Sequence, residues 1–123
     1  MRYEAAVFEQ LVAQALDNLP DWVRERMDNV AVVIQPWPTL DQLRRTGIGR
    51  DKTLLGLYQG IPLTRRGLGY QLTAPDRITL FQGPLENASV DELSLQKLVR
   101  RTVIHEVAHH FGISDERLAE LDI

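Results

Sequence analysis

Within the segment "RTVIHEVAHHFGISDERL", residues 101 to 118, two histidines stand four residues apart and a glutamate follows the first: His105, Glu106 and His109. If the segment is helical, residues four apart share one face about a turn from each other, so both imidazoles can address a common centre. Two ring nitrogens at that spacing suit a divalent cation such as zinc. Glu106 is rotated about 100° from His105 and flanks that centre instead of competing for it. From there its carboxylate can take a proton from a coordinated water and pass it to a leaving amine, the role of a general base. A catalytic zinc lowers the pKa of such a water from about 15.7 to about 7 and polarises a carbonyl. The chemistry to expect is zinc-dependent hydrolysis of a peptide bond by water, with no covalent intermediate.

A catalytic zinc takes three protein ligands and keeps one position open, so a third donor is needed. The chain has no cysteine, which restricts any metal to nitrogen and oxygen ligands. Gly112 lets the chain turn out of the helix at no steric cost, and three residues later a short carboxylate can reach back. Asp115 is therefore the favoured third ligand and Glu116 the alternative. His110 lies about 100° round the helix from His109 and reads as structural or supporting. A competing reading is a metal-binding module without turnover, which recognises a partner peptide or uses zinc structurally. It draws on the scarcity of oxyanion donors, because no tyrosine follows Tyr70. Tyr58 and Tyr70 read as packing aromatics unless their loop folds over the cleft. Against that reading stands Glu106, for which a site that only binds has no use.

"HEVAHHFGISD" matches the H-E-x-x-H-x-x-G-x-x-D signature of zincin metallopeptidases. With "LLGLYQGIPLTRRG" and "PDRITLFQGPL" upstream, its small size and its lack of cysteine, the chain resembles the minimal-zincin family of small bacterial metallopeptidases over most of residues 30 to 121. The resemblance implies His105, His109 and Asp115 as zinc ligands, Glu106 as the base, and a three-helix, mixed-sheet scaffold. Two relatives of that signature fit less well. Metzincins place a histidine third and a methionine turn below the metal, whereas no methionine follows Met27 here. Gluzincins draw a glutamate from a second long helix, and only 14 residues follow His109.

The elements that must hold these side chains are legible in part. Apolar residues recur at helical spacing from Tyr3 to Leu16, and Asp17, Asn18 and Pro20 end the run. Pro20-Asp21 opens a short helix through Met27. "VAVVI" (30–34) reads as a buried strand stopped by Pro36-Trp37-Pro38. Thr39 with Gln42 predicts a capping box for a helix over "LDQLRR", and residues 47–50 read as a loop. "TLLGLYQG" (53–60) is a second strand and 61–76 an irregular surface loop. "RITLFQ" (77–82) is a third strand, closed by Gly83-Pro84; it is also assigned to the sheet edge, where it could hold an extended peptide through its backbone. Ser89 with Glu92 predicts a capping box for the long helix that carries the histidines, with Ile104, Val107, Ala108 and Phe111 as its anchoring arc. Gly112 ends it, and Ser114 caps a last helix, "DERLAEL".

The expected fold is a single α+β domain over residues 1–123, with a small mixed sheet of three or four strands packed against the N-terminal and histidine-bearing helices. A net charge of −3 supplies no global positive field, and no segment resembles a basic recognition helix, so a DNA-linked role is disfavoured and nucleic acid is not an expected partner. Glu4, Glu9 and Gln10 interrupt the N-terminal run, so it does not read as a signal peptide; neither that run nor any later stretch reads as a membrane span. The expectation is a cytoplasmic protein acting on a peptide or protein. Arg44-Arg45, Arg65-Arg66 and Arg100-Arg101 read as solvated pairs, with Arg65-Arg66 the pair best placed to meet a substrate carboxylate. Trp22 and Trp37 read as core or rim packing.

Overall fold

The computed structural model describes residues 2–47, 54–60 and 75–120. In chain order the described elements are α1 (Ala5–Asp17), α2 (Asp21–Arg26), β1 (Val30–Gln35), α3 (Leu40–Thr46), β2 (Gly56–Gln59), β3 (Asp76–Phe81), α4 (Gln82–Asn87), α5 (Glu92–His110) and α6 (Asp115–Glu120). The three strands form one mixed sheet in the order β1-β3-β2. β3 runs parallel to β1, with Val30 opposite Asp76, and antiparallel to β2, with Tyr58 opposite Ile78. "RITLFQ" is thus the middle strand and not the edge: Ile78 through Phe81 are buried, and both flanks of the strand are committed to neighbours. The stretch buried on both faces, Ile78 to Phe81, is apolar except for the buried Thr79, whereas β1 has a neighbour on one side only and is half-buried, not buried.

One core ties the sheet to the helices. Phe8, Leu11, Val12 and Ala15 of α1 meet Leu95, Val99, Val103 and Ile104 of α5, with Ile78 and Leu80 of β3 in the same cluster. Each of these side chains larger than alanine contributes about 1.5–3 kcal/mol by leaving water, so the long helix is anchored along most of its length. Ile104, Val107 and Ala108 are fully buried, as the arc predicts, but Phe111 is 47% exposed. The helix ends at His110, which leaves Phe111 past the last packed turn; its ring lies 5.8 Å from the Arg26 guanidinium.

Local chemistry fixes where α5 begins. Asp91, not Ser89, is the N-cap: its carboxylate accepts from Ser94 N–H at 2.8 Å, and its own N–H donates to Ser94 Oγ at 3.1 Å. Ser89 instead donates its hydroxyl to the Leu85 carbonyl, because Gly83-Pro84 do not close a turn but sit inside α4. The Thr39–Gln42 box forms as expected. No helix among the described residues is long and apolar enough to cross a membrane.

Candidate metal centre

His105 and His109 occupy the final two turns of α5, whose opposite side is buried in the core. Beyond them the chain reverses through a glycine turn. Gly112 sits at φ 78°, with its N–H donating to the His109 carbonyl at 3.1 Å and that of Ile113 to the Ala108 carbonyl at 2.8 Å. This pair of bonds satisfies helix-end carbonyls only when the intervening residue is left-handed, a conformation that glycine adopts without a Cβ penalty. Ser114 then caps α6 by accepting from Arg117 N–H at 3.1 Å. The turn returns Asp115 to the histidine edge.

His109 Nε2 donates to Asp115 Oδ1 at 2.9 Å, and His105 Nδ1 stands 3.8 Å from the same oxygen. One donor atom from each of the three residues lies within 4.8 Å of the other two. Zinc bonds of about 2.0–2.2 Å at tetrahedral angles need ligand atoms roughly 3.3–3.6 Å apart, so small side-chain rotations bring this set to that spacing. Two imidazoles and a carboxylate also match the ion chemically. Glu116 is exposed and is not part of the group.

The environment sets the protonation of these groups. Burial pushes His105 below the ordinary histidine range, and the nearby Arg101 charge pushes the same way, while the Asp115 charge opposes them; the net effect favours the neutral ring. The hydrogen bond from His109 holds Asp115 below the usual carboxylate range. Burial raises Glu106, while the Tyr58 N–H and the His109 charge pull it down.

That Tyr58 bond comes from an element that motif reasoning on α5 leaves out. Glu106 Oε1 accepts the backbone N–H of Tyr58, on edge strand β2, at 2.9 Å. β2 lies close enough to α5 to make it because Gly56 has no side chain: a Cβ there would stand 2.7 Å from Thr102 Cγ2. An isolated glycine in a strand pattern is the sequence signal for such an approach. Tyr58 itself is a packing aromatic. Its ring stacks on His110 at 3.9 Å between centroids, and its hydroxyl donates to Asp76 at 2.8 Å. His110 therefore faces the sheet and not the ligand group, in keeping with a structural role.

Beside Glu106 lies a cleft of about 440 Å³, lined by Leu54, Leu55, Leu98, Arg101, His105 and Glu106 among others. Tyr70 and Arg65-Arg66 lie outside the described residues. Trp22 packs against the core, while Trp37 is 52% exposed at its rim.

A family model described as zincin-like metallopeptidase matches residues 27–123. Among solved structures, a conserved hypothetical protein from Thermus thermophilus aligns with a TM-score of 0.56 at 20% identity, covering 95% of this chain and 98% of that one. At that identity the likeness concerns the fold. No curated protein matches.

Proposed function

Because the chain belongs to the zincin-like metallopeptidase family, we propose that it hydrolyses peptide bonds with water as nucleophile, His105, His109 and Asp115 holding a zinc ion and Glu106 serving as general base. The observation that carries this reading is the convergence of three donor atoms within 4.8 Å beside a cleft that Glu106 also lines. Zinc, when bound, supplies Lewis acidity that activates water and polarises a carbonyl. The protein does the rest. Tyr58 N–H fixes one oxygen of Glu106, and the other makes no hydrogen bond among the described residues, so it is available to receive a proton. Partial burial raises the affinity of that carboxylate for the proton, which suits a group that must take one and then release it to the amine. The bond between His109 Nε2 and Asp115 Oδ1 holds together the two atoms that would take the ion, and the proton they share would be released on binding.

One feature favours the reading without turnover: the Tyr58 hydroxyl is engaged with Asp76, so it does not serve as an oxyanion donor in this arrangement. The two readings part at Glu106→Gln. Glutamine keeps an oxygen to accept from Tyr58, so the variant is expected to retain fold and zinc while losing cleavage of a peptide library. His109→Ala should lose zinc, read by elemental analysis of protein purified without added metal. A zinc-loaded wild type that cleaves nothing in the library refutes the hydrolase; unchanged zinc in His109→Ala refutes the ligand set.

A further inference from the structure

The two arginines of "RR" at 100–101 part company in the fold. Arg100 donates to the Asn18 carbonyl at 2.9 Å and is thereby tied to the end of α1. Elsewhere Arg45 pairs with Asp41 and Arg117 with Glu120. Arg101 is exposed, lines the cleft, and makes no hydrogen bond or ion pair among the described residues. It is one helical turn before His105, a rise of about 6 Å. Leu54, Leu55 and Leu98 line the same cleft, so among the described residues a bound group there meets apolar surface around one cation.

We propose that Arg101 is a specificity-determining residue that selects peptides carrying a carboxylate within about two residues of the scissile bond. This rests on the hydrolytic reading above and names its substrate class. The reach is that of a peptide laid along α5: an extended chain advances about 3.3–3.6 Å per residue, so in that direction the rise from His105 to Arg101 corresponds to about two residues. The charge follows from the lining. Glu106 gives the cleft a negative group that repels a substrate carboxylate, and Arg101 both offsets that repulsion and offers a planar fork matched to a carboxylate. Arg101 is exposed, so the pair it makes is screened by solvent, and the apolar neighbours serve to position the peptide beside it. The carboxylate can come from an acidic side chain or from the peptide's own C-terminus.

Binding to the full-length Glu106→Gln protein separates this proposal from the question of turnover. Fluorescence anisotropy would use labelled peptides in matched pairs: an internal Glu against Gln with an amidated end, and a free C-terminal acid against its amide with no acidic side chain. At least one carboxylate series should bind about 2- to 5-fold more tightly than its neutral counterpart, the range expected of a solvent-exposed ion pair. The series that shows the effect identifies the source. Adding Arg101→Ala should abolish the difference, Arg101→Lys should keep part of it, and Arg101→Glu should turn the preference toward a Lys-bearing peptide. Equal binding of charged and neutral peptides, or a preference that survives Arg101→Ala, overturns the proposal. Carboxylate-selective binding without cleavage by the zinc-loaded wild type counts against hydrolysis alone.

Discussion

Replacing Gly56 by alanine tests how the edge strand and the histidine-bearing helix are locked together. The added Cβ would lie 2.7 Å from Thr102 Cγ2 and 3.3 Å from the Thr79 carbonyl oxygen. Carbon atoms settle at about 3.5–4.0 Å, so relief requires a shift of roughly 1 Å. Thr102 cannot easily supply it. The residue is 8% exposed, and its hydroxyl donates to the Leu98 carbonyl at 2.7 Å, which holds the rotamer. The strand must therefore move away from α5, and a Tyr58–Glu106 hydrogen bond of 2.9 Å stretched by that amount is lost. Overpacking of this kind costs about 1–3 kcal/mol, equivalent to a fall in Tm of about 4–12 °C for a chain of this size. Misplacing a catalytic carboxylate by about 1 Å can reduce turnover on the order of 100-fold. Thermal denaturation and peptide-cleavage assays on Gly56→Ala, Thr102→Ser and the double variant provide the measurement. Thr102→Ser removes the clashing methyl and keeps the hydroxyl, so the double variant should recover most of the loss in both assays. If Gly56→Ala matches the wild type, or if serine gives no rescue, the reasoning about this contact is wrong.

Gly112→Ala should lower stability by about 1–2 kcal/mol and weaken zinc binding, because nothing lies within 4 Å of a Cβ there and the whole cost is the left-handed backbone at φ 78°. Gly112→Asn should cost less in both denaturation and metal titration, and a larger loss for Asn than for Ala would contradict that cause. Leu95→Ala, fully buried near the start of α5, should cost about 2–5 kcal/mol in urea denaturation. Ten residues of helix, roughly 15 Å, separate it from His105, so zinc affinity should not change in the folded protein.

Where the sequence could be read, a local rule dominated. The helix carrying the histidines, its glycine stop, the Ser114 cap and the Thr39–Gln42 box each depend on contacts within five residues, and they appear where those contacts dictate. The reach of Asp115 toward His109, six residues on, is nearly as local, since a left-handed glycine largely determines the path. Strand order did not follow any such rule. That β3 is central depends on a parallel pairing with β1 across more than forty residues, which no short-range pattern encodes. The start of α5 departs from the expected Ser89 cap for a subtler reason: Asp91 holds the first turn through the Ser94 N–H. The Ser89 hydroxyl was taken by α4, a helix hidden behind Gly83-Pro84. The Glu106 partner was invisible to motif reasoning because it is a main-chain group, and only Gly56 hinted at it.

The candidate cation-binding group is local: His105, His109 and Asp115, brought together by the glycine turn at Gly112, all fall within eleven consecutive residues. A ligand stabilises a fold only to the extent that the denatured chain fails to bind it. Here the denatured chain keeps all three donors on one short tether, so it competes for the ion more effectively than a chain whose ligands come from distant segments. Saturating metal should therefore raise the melting temperature by less than the affinity of the native protein alone would demand, and removing it should leave the α1–α5–sheet core standing.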